Sequence, residues 1–506
     1  MVKRVAVNSE TEEIKQAIND KIFYLTPQMK NFKIPHVFIF LSAIILFSSI
    51  LTYIIPSGQF DRTTRVVDNV VQILVVPGSF KELPKHFSVK GVILGDEVIG
   101  KSTPKSLLGL FTSIPKGLNS AAALIFFVFI IGAVLTLIQQ TGTINVFINM
   151  LLHKFGDSPM LLSFILFIFI ASAGTFMGMG AEFIPLIPIF LMISKRLGYD
   201  RLFGLGLLTI GTTVGWSTAI TNPFTVQIAQ RIAELPIGSG MGLRVIFFVV
   251  CVILGFSFLV IYGNKVKKDR SRSVMPDDTF VIEGVTSIDE VNKPTGKHIG
   301  IAISAFILFA MILFAVQTMG WGLIEMTGGF FAVGVCTILI SGMSGDEAMK
   351  SFIKGLEMML VPALIVGFAR GIQVVLEEGM IIDTILDRTS MMLEGKHPVL
   401  SAQGMFVFQT MLNFFIPSAS GQAMVSMPLM VPLSDLLGIS RQTAVLIFIS
   451  GDGFSNMVVP TSGVLMASLA IAGVPFEKWI RFVWPLFLVL SVVAGIFIVV
   501  AHHINY

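Results

Sequence analysis

The chain has 506 residues, of which 54% are hydrophobic and 13% charged, with 44 Phe and 26 Met. Soluble domains carry about 25% charged residues, so the composition excludes an ordinary soluble protein, and apolar runs of about 20 residues exclude a barrel of alternating ten-residue strands. The net charge of +4 sits largely in loops and reads as membrane topology, not as nucleic-acid binding.

In chain order, residues 1–34 form a polar N-terminal arm without a signal-peptide layout. Lys3, Arg4, Lys15, Lys21, Lys30 and Lys33 place it in the cytoplasm. The first membrane half covers 35–263, with an external loop at about 57–118 and a first repeat at about 119–263. Its clear spans are 36–55, 120–140 and 244–263. Residues 264–297 form a cytoplasmic linker marked by Lys265, Lys267, Lys268, Arg270 and Arg272. Connecting spans follow over 298–357, at 298–318 and 322–341. The second membrane half covers 358–506, with spans at 359–377 and 482–501. The external loop carries eight basic residues, which argues against its placement, but long loops obey the charge rule poorly. The C-terminus, with His502 and His503, is expected outside.

The segments 202–235 and 442–472 read as helices broken by polar residues, with Pro223 and Pro460 removing an N–H and crowding the preceding turn. The stretches 160–195 and 402–436 are too long for one span and are interrupted midway. Each reads as two spans or a re-entrant hairpin. The hairpin is favoured because irregular Gly/Ser-rich backbone at membrane depth must be buried or line a cavity. The short amphipathic stretches 142–155 and 379–394 precede the hairpins and read as helices on the membrane surface.

These features occur twice. Residues 174–235 and 414–475 align at a fixed offset of 240, matching Pro188 with Pro428, Ser194 with Ser434, Leu197-Gly198 with Leu437-Gly438, Arg201 with Arg441, Gly211 with Gly451 and Thr221 with Thr461. Three crossings separate the first broken helix from the second half, so the second copy is expected to be inverted. The fold class is an all-α polytopic membrane protein with two inverted repeats, each with a re-entrant hairpin and a discontinuous helix. Such pairs of broken segments mark the binding site of secondary transporters.

The chemistry-bearing residues lie at these breaks. At the first tip, Gly178, Gly180 and Glu182 present a carboxylate among apolar residues, where insertion is disfavoured by roughly 2.5–3.5 kcal/mol. Glu182 could bind a cationic substrate group, a coupling ion or a proton, or could cap the helix that follows it. Its counterpart is Gln422. Asp452 lies between Gly451 and Gly453 in a segment expected to be unwound. There it would bind Na⁺, a proton or an ammonium, or cap the next half-helix. The neutral polar set comprises Thr212, Thr213, Ser217, Thr221 and Asn222 in the first break, and Ser455, Asn456, Thr461 and Ser462 in the second. Ser418, Ser420 and Gln422 belong to the second tip, and Asn413 stands nearby. Singly, each would be helix packing; at mirrored positions they read as a substrate site. Glu182, Asp452, Thr212 and Asn413 are the ion-coupling candidates. Arg370, in mid-span, is read as a structural or interface ion pair, with a substrate carboxylate as the alternative. Glu325, near a span end, reads as solvated.

Cys251 and Cys336 lie in apolar runs and suggest neither a disulfide framework nor a metal site. No cofactor is expected beyond Na⁺ or H⁺ as a coupling ion. The chain lacks HExxH, Walker, GxSxG and GxGxxG signatures, so an enzyme is not expected. Polar groups gathered at two mid-membrane breaks rather than along a continuous path disfavour an ion channel.

The segments LGYD, TNPFTVQIAQRIA, SGMGLR, VKK, VPALIVGFARG, NFFIPSASGQAMVSMPLMVPLSDLLGISRQ and GDGFSNMVVPTSGVLMASL resemble the YfcC family of bacterial inner-membrane carriers. That family belongs to the C4-dicarboxylate anaerobic carrier-like group of the ion transporter superfamily. The resemblance covers most of the chain. It implies an elevator-type fold, with a dimerising scaffold domain and a transport domain of two hairpins and two broken helices. It also implies a homodimer in the bilayer and a small-molecule substrate. The chain departs from the Ser-Asn-Thr pattern of dicarboxylate carriers: Met179, Gly180, Ala181 and Glu182 form the first tip, Ser418, Ala419, Ser420 and Gly421 the second, and Met457 follows Asn456. Two acids at the site repel a dianion, so the substrate is expected to be a carboxylate-bearing amino acid, with a basic one such as arginine or ornithine preferred, moved by exchange or by H⁺ or Na⁺ coupling. The alternative is a Na⁺- or H⁺-coupled C4-dicarboxylate carrier.

Overall fold

The structure is a computed structural model that describes residues 37–67, 70–146, 150, 158–276, 294–319, 321–393 and 395–506. The N-terminal arm, residues 277–293 of the 264–297 linker and much of the 142–155 stretch lie outside the described residues.

Apolar runs become helices wherever the sequence is long enough and lacks glycine–proline punctuation. Helix α1 (Val37–Ile54) is followed by four short strands: β1 (Ser57–Gln59), β2 (Arg62–Val67), β3 (Val70–Val75) and β4 (Lys81–Leu83). β1 pairs antiparallel with β4, and β2 with β3. Then come α2 (Val89–Ile93), α3 (Leu107–Ser120) and α4 (Ala122–Gln140). Thus the segment read as a loop at 57–118 holds two small antiparallel pairs and most of an amphipathic helix, and the fold is helical with a β appendage. The strands are pinned to the far half of the chain. Gly58 N–H donates to Met380 O at 2.9 Å, Phe60 N–H donates to Asp383 at 3.0 Å, and Arg62 pairs with Asp383 at 3.0 Å.

Helix α5 (Pro159–Met177) leads through a 3₁₀ turn at Ala181–Leu186 into α6 (Ile187–Arg196), and α7 (Arg201–Thr218) into α8 (Val226–Ile232) and α9 (Met241–Lys268). Helices α10 (Gly296–Met319), α11 (Leu323–Ser341), α12 (Gly345–Met358), α13 (Leu360–Glu378) and α14 (Ile382–Leu393) connect to the second set. That set comprises α15 (Pro398–Phe415), α16 (Ala419–Leu436), α17 (Arg441–Ser455), α18 (Gly463–Ala472) and α19 (Phe476–His503). Six of the described helical segments are long and apolar enough to cross a membrane.

The matched letters produce matched local structure. Asp200 caps α7 by accepting the Phe203 N–H at 2.9 Å, and Ser440 caps α17 by accepting the Thr443 N–H at 3.1 Å. Gly198 (φ +84°) and Gly438 (φ +67°) both turn the chain left-handed just before these caps, a conformation glycine adopts without Cβ strain. Correspondence extends outside the aligned letters: α3 with α12 and α4 with α13 have the same lengths and order. Side chains then join the halves reciprocally. Arg201, opening α7, donates to Ala472 O at 2.9 Å and Gly473 O at 3.1 Å, where α18 ends. Arg441, opening α17, donates to Ala233 O and pairs with Glu234, both at 3.1 Å, where α8 ends.

Helices α7 and α17 cross at the centre. Every residue from Gln442 to Ser455 is buried, including the polar Gln442, Thr443, Ser450, Asp452 and Ser455. At the crossing a methyl on Gly453 would lie 2.4 Å from Ser217 Cα.

Candidate functional site

The first break is closed by its own chain. Helix α7 stops at Thr218, and Ala219 takes a φ of +24°, a backbone that a side chain strains. Fully buried Asn222 donates to Gly174 O at 3.2 Å and accepts the Phe224 N–H at 2.8 Å. Thr221 donates its N–H to Thr175 O and its hydroxyl to Phe176 O, at 3.1 and 3.0 Å. The Thr175 hydroxyl accepts the Ile220 N–H at 3.0 Å. Ser217, Thr212 and Thr213 donate to carbonyls one turn back, at 2.7, 2.8 and 2.8 Å. Gly178 (φ +71°) ends α5, and a methyl there would lie 2.5 Å from Asn222 Oδ1. At the tip beyond, Trp216 Nε1 donates to Met179 O at 2.7 Å. Gly180 N–H donates to the buried Glu182 carboxylate at 2.6 Å, so this acid is folded onto its own tip.

The second break is differently finished. Asn413 Nδ2 donates to Asp452 O at 3.0 Å and Ser455 Oγ at 2.8 Å, and Asn456 Nδ2 donates to Asp452 O at 2.9 Å. Four predicted site residues, Asn413, Asp452, Ser455 and Asn456, are thereby brought into direct contact. Yet both carboxylate oxygens of fully buried Asp452 have no hydrogen-bond partner among the described residues, nor do Asn413 Oδ1, Gln422 Oε1 and Thr461 Oγ1. Gln422 donates to Gln409 O at 2.9 Å and Gln409 Oε1 at 2.8 Å. Ser418 caps α16, Ser462 caps α18, and Ser420 is half-buried on the first turn of α16.

Two expectations need correction. Asp452 is not in an unwound segment, since α17 remains helical through Ser455 and Ser462 caps the next half-helix. The flanking glycines serve close packing instead: methyls on Gly451 and Gly453 would lie 2.6 Å from Gln409 Cβ and 2.4 Å from Ser217 Cα. Arg370 is not in an ion pair among the described residues. Its Nε donates to Ser120 Oγ at 3.1 Å, and a second nitrogen donates to Gln373. Glu325 sits in the first turn of α11 and accepts the Gly322 N–H at 2.9 Å.

Sequence reasoning passed over Arg244. Fully buried near the start of α9, it donates to Ser239 O at 2.7 Å, Ile220 O at 3.4 Å and Tyr506 Oη at 2.9 Å, which ties the first break to the far end of α19. A single Arg beside an apolar run was the available signal, though span ends often carry arginines that reach toward water. Gln409, bonded to Gln422 and to Ser426, was likewise missed because its partners lie in the opposite arm.

A buried carboxylate without donors is stable only with a proton, a metal cation or a cationic ligand group. In the second-copy set the unfilled carboxylate and amide oxygens of Asp452, Asn413 and Gln422 can only accept, and the Thr461 hydroxyl can accept or donate, so the balance favours a cation or a proton.

A family model described as C4-dicarboxylate anaerobic carrier matches residues 34–503. The chain is 30% identical to a "Putative basic amino acid antiporter YfcC" of Escherichia coli (strain K12), over 94% of this chain and 98% of that one. It is 29% identical to an uncharacterized protein of Haemophilus influenzae, over 93% and 97%. Among solved structures, it is similar to the Alcanivorax borkumensis YdaH transporter (TM-score 0.40, 15% identity, 93% of this chain and 99% of that one). It is also similar to Neisseria gonorrhoeae MtrF, whose structure is described as illuminating a class of antimetabolite efflux pumps (TM-score 0.38, 16% identity, 92% and 95%).

Proposed function

The chain belongs to the C4-dicarboxylate anaerobic carrier family, whose members are membrane transporters rather than enzymes, and from that premise we propose that it carries a small amino acid bearing a carboxylate, preferentially a basic one, across the bacterial inner membrane. The observation that carries this reading is the unpartnered Asp452 carboxylate on a residue whose main-chain oxygen is held by Asn413, itself left with an unpartnered Oδ1. An ammonium or guanidinium group, or a coupling Na⁺ or H⁺, supplies what these oxygens lack. The half-helix N-terminus capped by Ser462 supplies partial positive charge for the α-carboxylate. The relative named as a basic amino acid antiporter supports the same choice.

The reciprocal contacts of Arg201 and Arg441 support two inverted repeats, since each broken helix begins where the other ends. The arms α5–α6 and α15–α16 then act as re-entrant hairpins. With α7–α8 and α17–α18 they form a transport domain that moves against a scaffold containing α4 and α13 in a homodimer. The N-terminus is cytoplasmic in this reading.

The test is thermal stabilisation of the purified protein by L-arginine, L-ornithine, L-lysine, succinate and fumarate, with and without Na⁺, because a ligand of the folded state raises its stability by mass action. Stabilisation by the basic amino acids and not by the diacids is expected. Stabilisation by diacids in a Na⁺-dependent manner would replace this reading with the dicarboxylate carrier, which the family description favours and in which Asp452 holds the cation alone.

A further inference from the structure

We propose that Arg370, with Ser120 and Gln373, forms a carboxylate-docking site on the face of α13 that borders the second break. The inference rests on the carrier reading above and adds a contact outside the predicted site residues.

Arg370 is the eleventh residue of the 19-residue α13, in the middle of an apolar helix. A guanidinium at that depth is strongly disfavoured in lipid, so it faces a bundle interior or a water-filled space. Its Nε and one terminal nitrogen are held by Ser120 and Gln373, while its other terminal nitrogen has no hydrogen-bond partner among the described residues and is not among the buried orphan atoms. Two neutral side chains therefore orient a fork whose free edge is open. Gln373 in turn donates to Glu377 at 2.5 Å, so the nearest acid is reached only through an amide. Arginine presents parallel N–H groups that match a carboxylate, and no protein carboxylate pairs with it among the described residues.

Position identifies what the fork faces. Val366, Arg370, Gln373 and Glu377 share one stripe of α13, being three or four residues apart. Val366 marks where the stripe points: a methyl on Gly463, at the start of α18, would lie 3.3 Å from Val366 Cγ1 and from Leu124 Cδ2. Leu124 also packs with Ala181 of the first tip against the Phe127 cluster. Arg370 lies one helical turn, about 5.4 Å along α13, from Val366 on the same stripe, and Val366 faces the start of α18, where Ser462 caps that helix and Thr461 leaves its hydroxyl unpartnered. In the proposed site the guanidinium and the helix N-terminus supply positive charge to one anion. The stripe has no equivalent in the other half. Counted from the helix starts, α4 carries Gly132, Leu135 and Gln139 at these positions, so only one side of the molecule is equipped to receive the anion.

The test places a thiol beside Arg370. In protein reconstituted into liposomes, with Cys251→Ala and Cys336→Ala, Ser120→Cys is exposed to the anionic sulfonatoethyl and the cationic trimethylammonium-ethyl methanethiosulfonates, each rate being normalised to that with free β-mercaptoethanol. Preference for the anionic reagent by about tenfold is expected. It should be lost in Arg370→Gln, kept in Arg370→Lys, and suppressed by millimolar succinate or L-arginine. Absence of modification by either reagent, or a charge preference unchanged by Arg370→Gln, overturns the docking site. Uptake of radiolabelled L-arginine and succinate by the same vesicles separates the two readings. Uptake without charge preference keeps the carrier and rejects the docking site, and charge preference without uptake of either solute keeps the docking site and rejects the proposed substrates.

Discussion

The two breaks descend from one sequence pattern and finish in opposite chemical conditions. In the first, Asn222 uses both ends of its amide locally, and Thr175, Ser217 and Thr221 each find a main-chain partner. In the second, Asn413 spends its donors on Asp452 O and Ser455 and leaves Oδ1 bare, as are both oxygens of Asp452. A buried polar group without a partner is destabilising by about 1–3 kcal/mol, and more for a charged one. The contrast is between a break whose Asn222, Thr175, Ser217 and Thr221 side chains find main-chain partners, the buried Thr225 hydroxyl excepted, and a helical segment whose buried Asp452 carboxylate and Asn413 Oδ1 find none.

Substitution breaks that comparison most strongly at Asp452. Asp452→Asn should reduce uptake by at least about 100-fold, the scale of losing one charge-assisted contact worth roughly 2.7 kcal/mol, while the unfolding temperature is unchanged or raised because a buried charge is gone. A lowered unfolding temperature with uptake intact would place Asp452 among the structural groups. Arg244→Ala should act in the opposite sense. Three hydrogen bonds that join the first break, Ser239 and Tyr506 disappear, and the expected loss of roughly 3 kcal/mol or more should appear as a large drop in thermal stability before any change in substrate preference.

Asn222→Ala sharpens the contrast at smaller scale. It leaves the Phe224 N–H without its partner and takes one of two donors from Gly174 O, which keeps the Gly178 N–H, so stability should fall by about 1–3 kcal/mol while the half-saturation concentration of the surviving folded protein stays near the wild-type value, as uptake titrations would read. The smallest effect is expected at Thr461→Val. This removes a buried hydroxyl that has no partner, so stability should change by less than about 1 kcal/mol. A measurable rise in half-saturation concentration would add Thr461 to the ligand contacts.

Much of this organisation was legible in the letters. The register of Arg201 with Arg441 and Leu197-Gly198 with Leu437-Gly438 located the turns, and the structure adds the caps at Asp200 and Ser440. The length of apolar runs located the spans. What stayed hidden depended on distant partners. Gly451 and Gly453 looked like flexibility and proved to be contact surfaces for Gln409 and Ser217, a distinction that exists only after two helices have met. The strands between Ser57 and Leu83 are short and were masked by the membrane signal around them. Arg370 suggested a counter-ion, and the structure supplies Ser120 and Gln373 in its place, which no spacing rule anticipates across 250 residues of chain.

The arginine that opens each broken helix has a consequence for biogenesis. Arg201 closes the end of α18 through carbonyls that follow it by 271 and 272 residues. At synthesis rates of about 5–20 residues per second, the first half resides in the bilayer for roughly 15–50 s before that partner exists. Throughout this interval an arginine at the head of α7 lacks its final acceptor, and the carbonyls at the end of α8 await Arg441. The reciprocal contacts between the halves therefore form only after the second half has been synthesised.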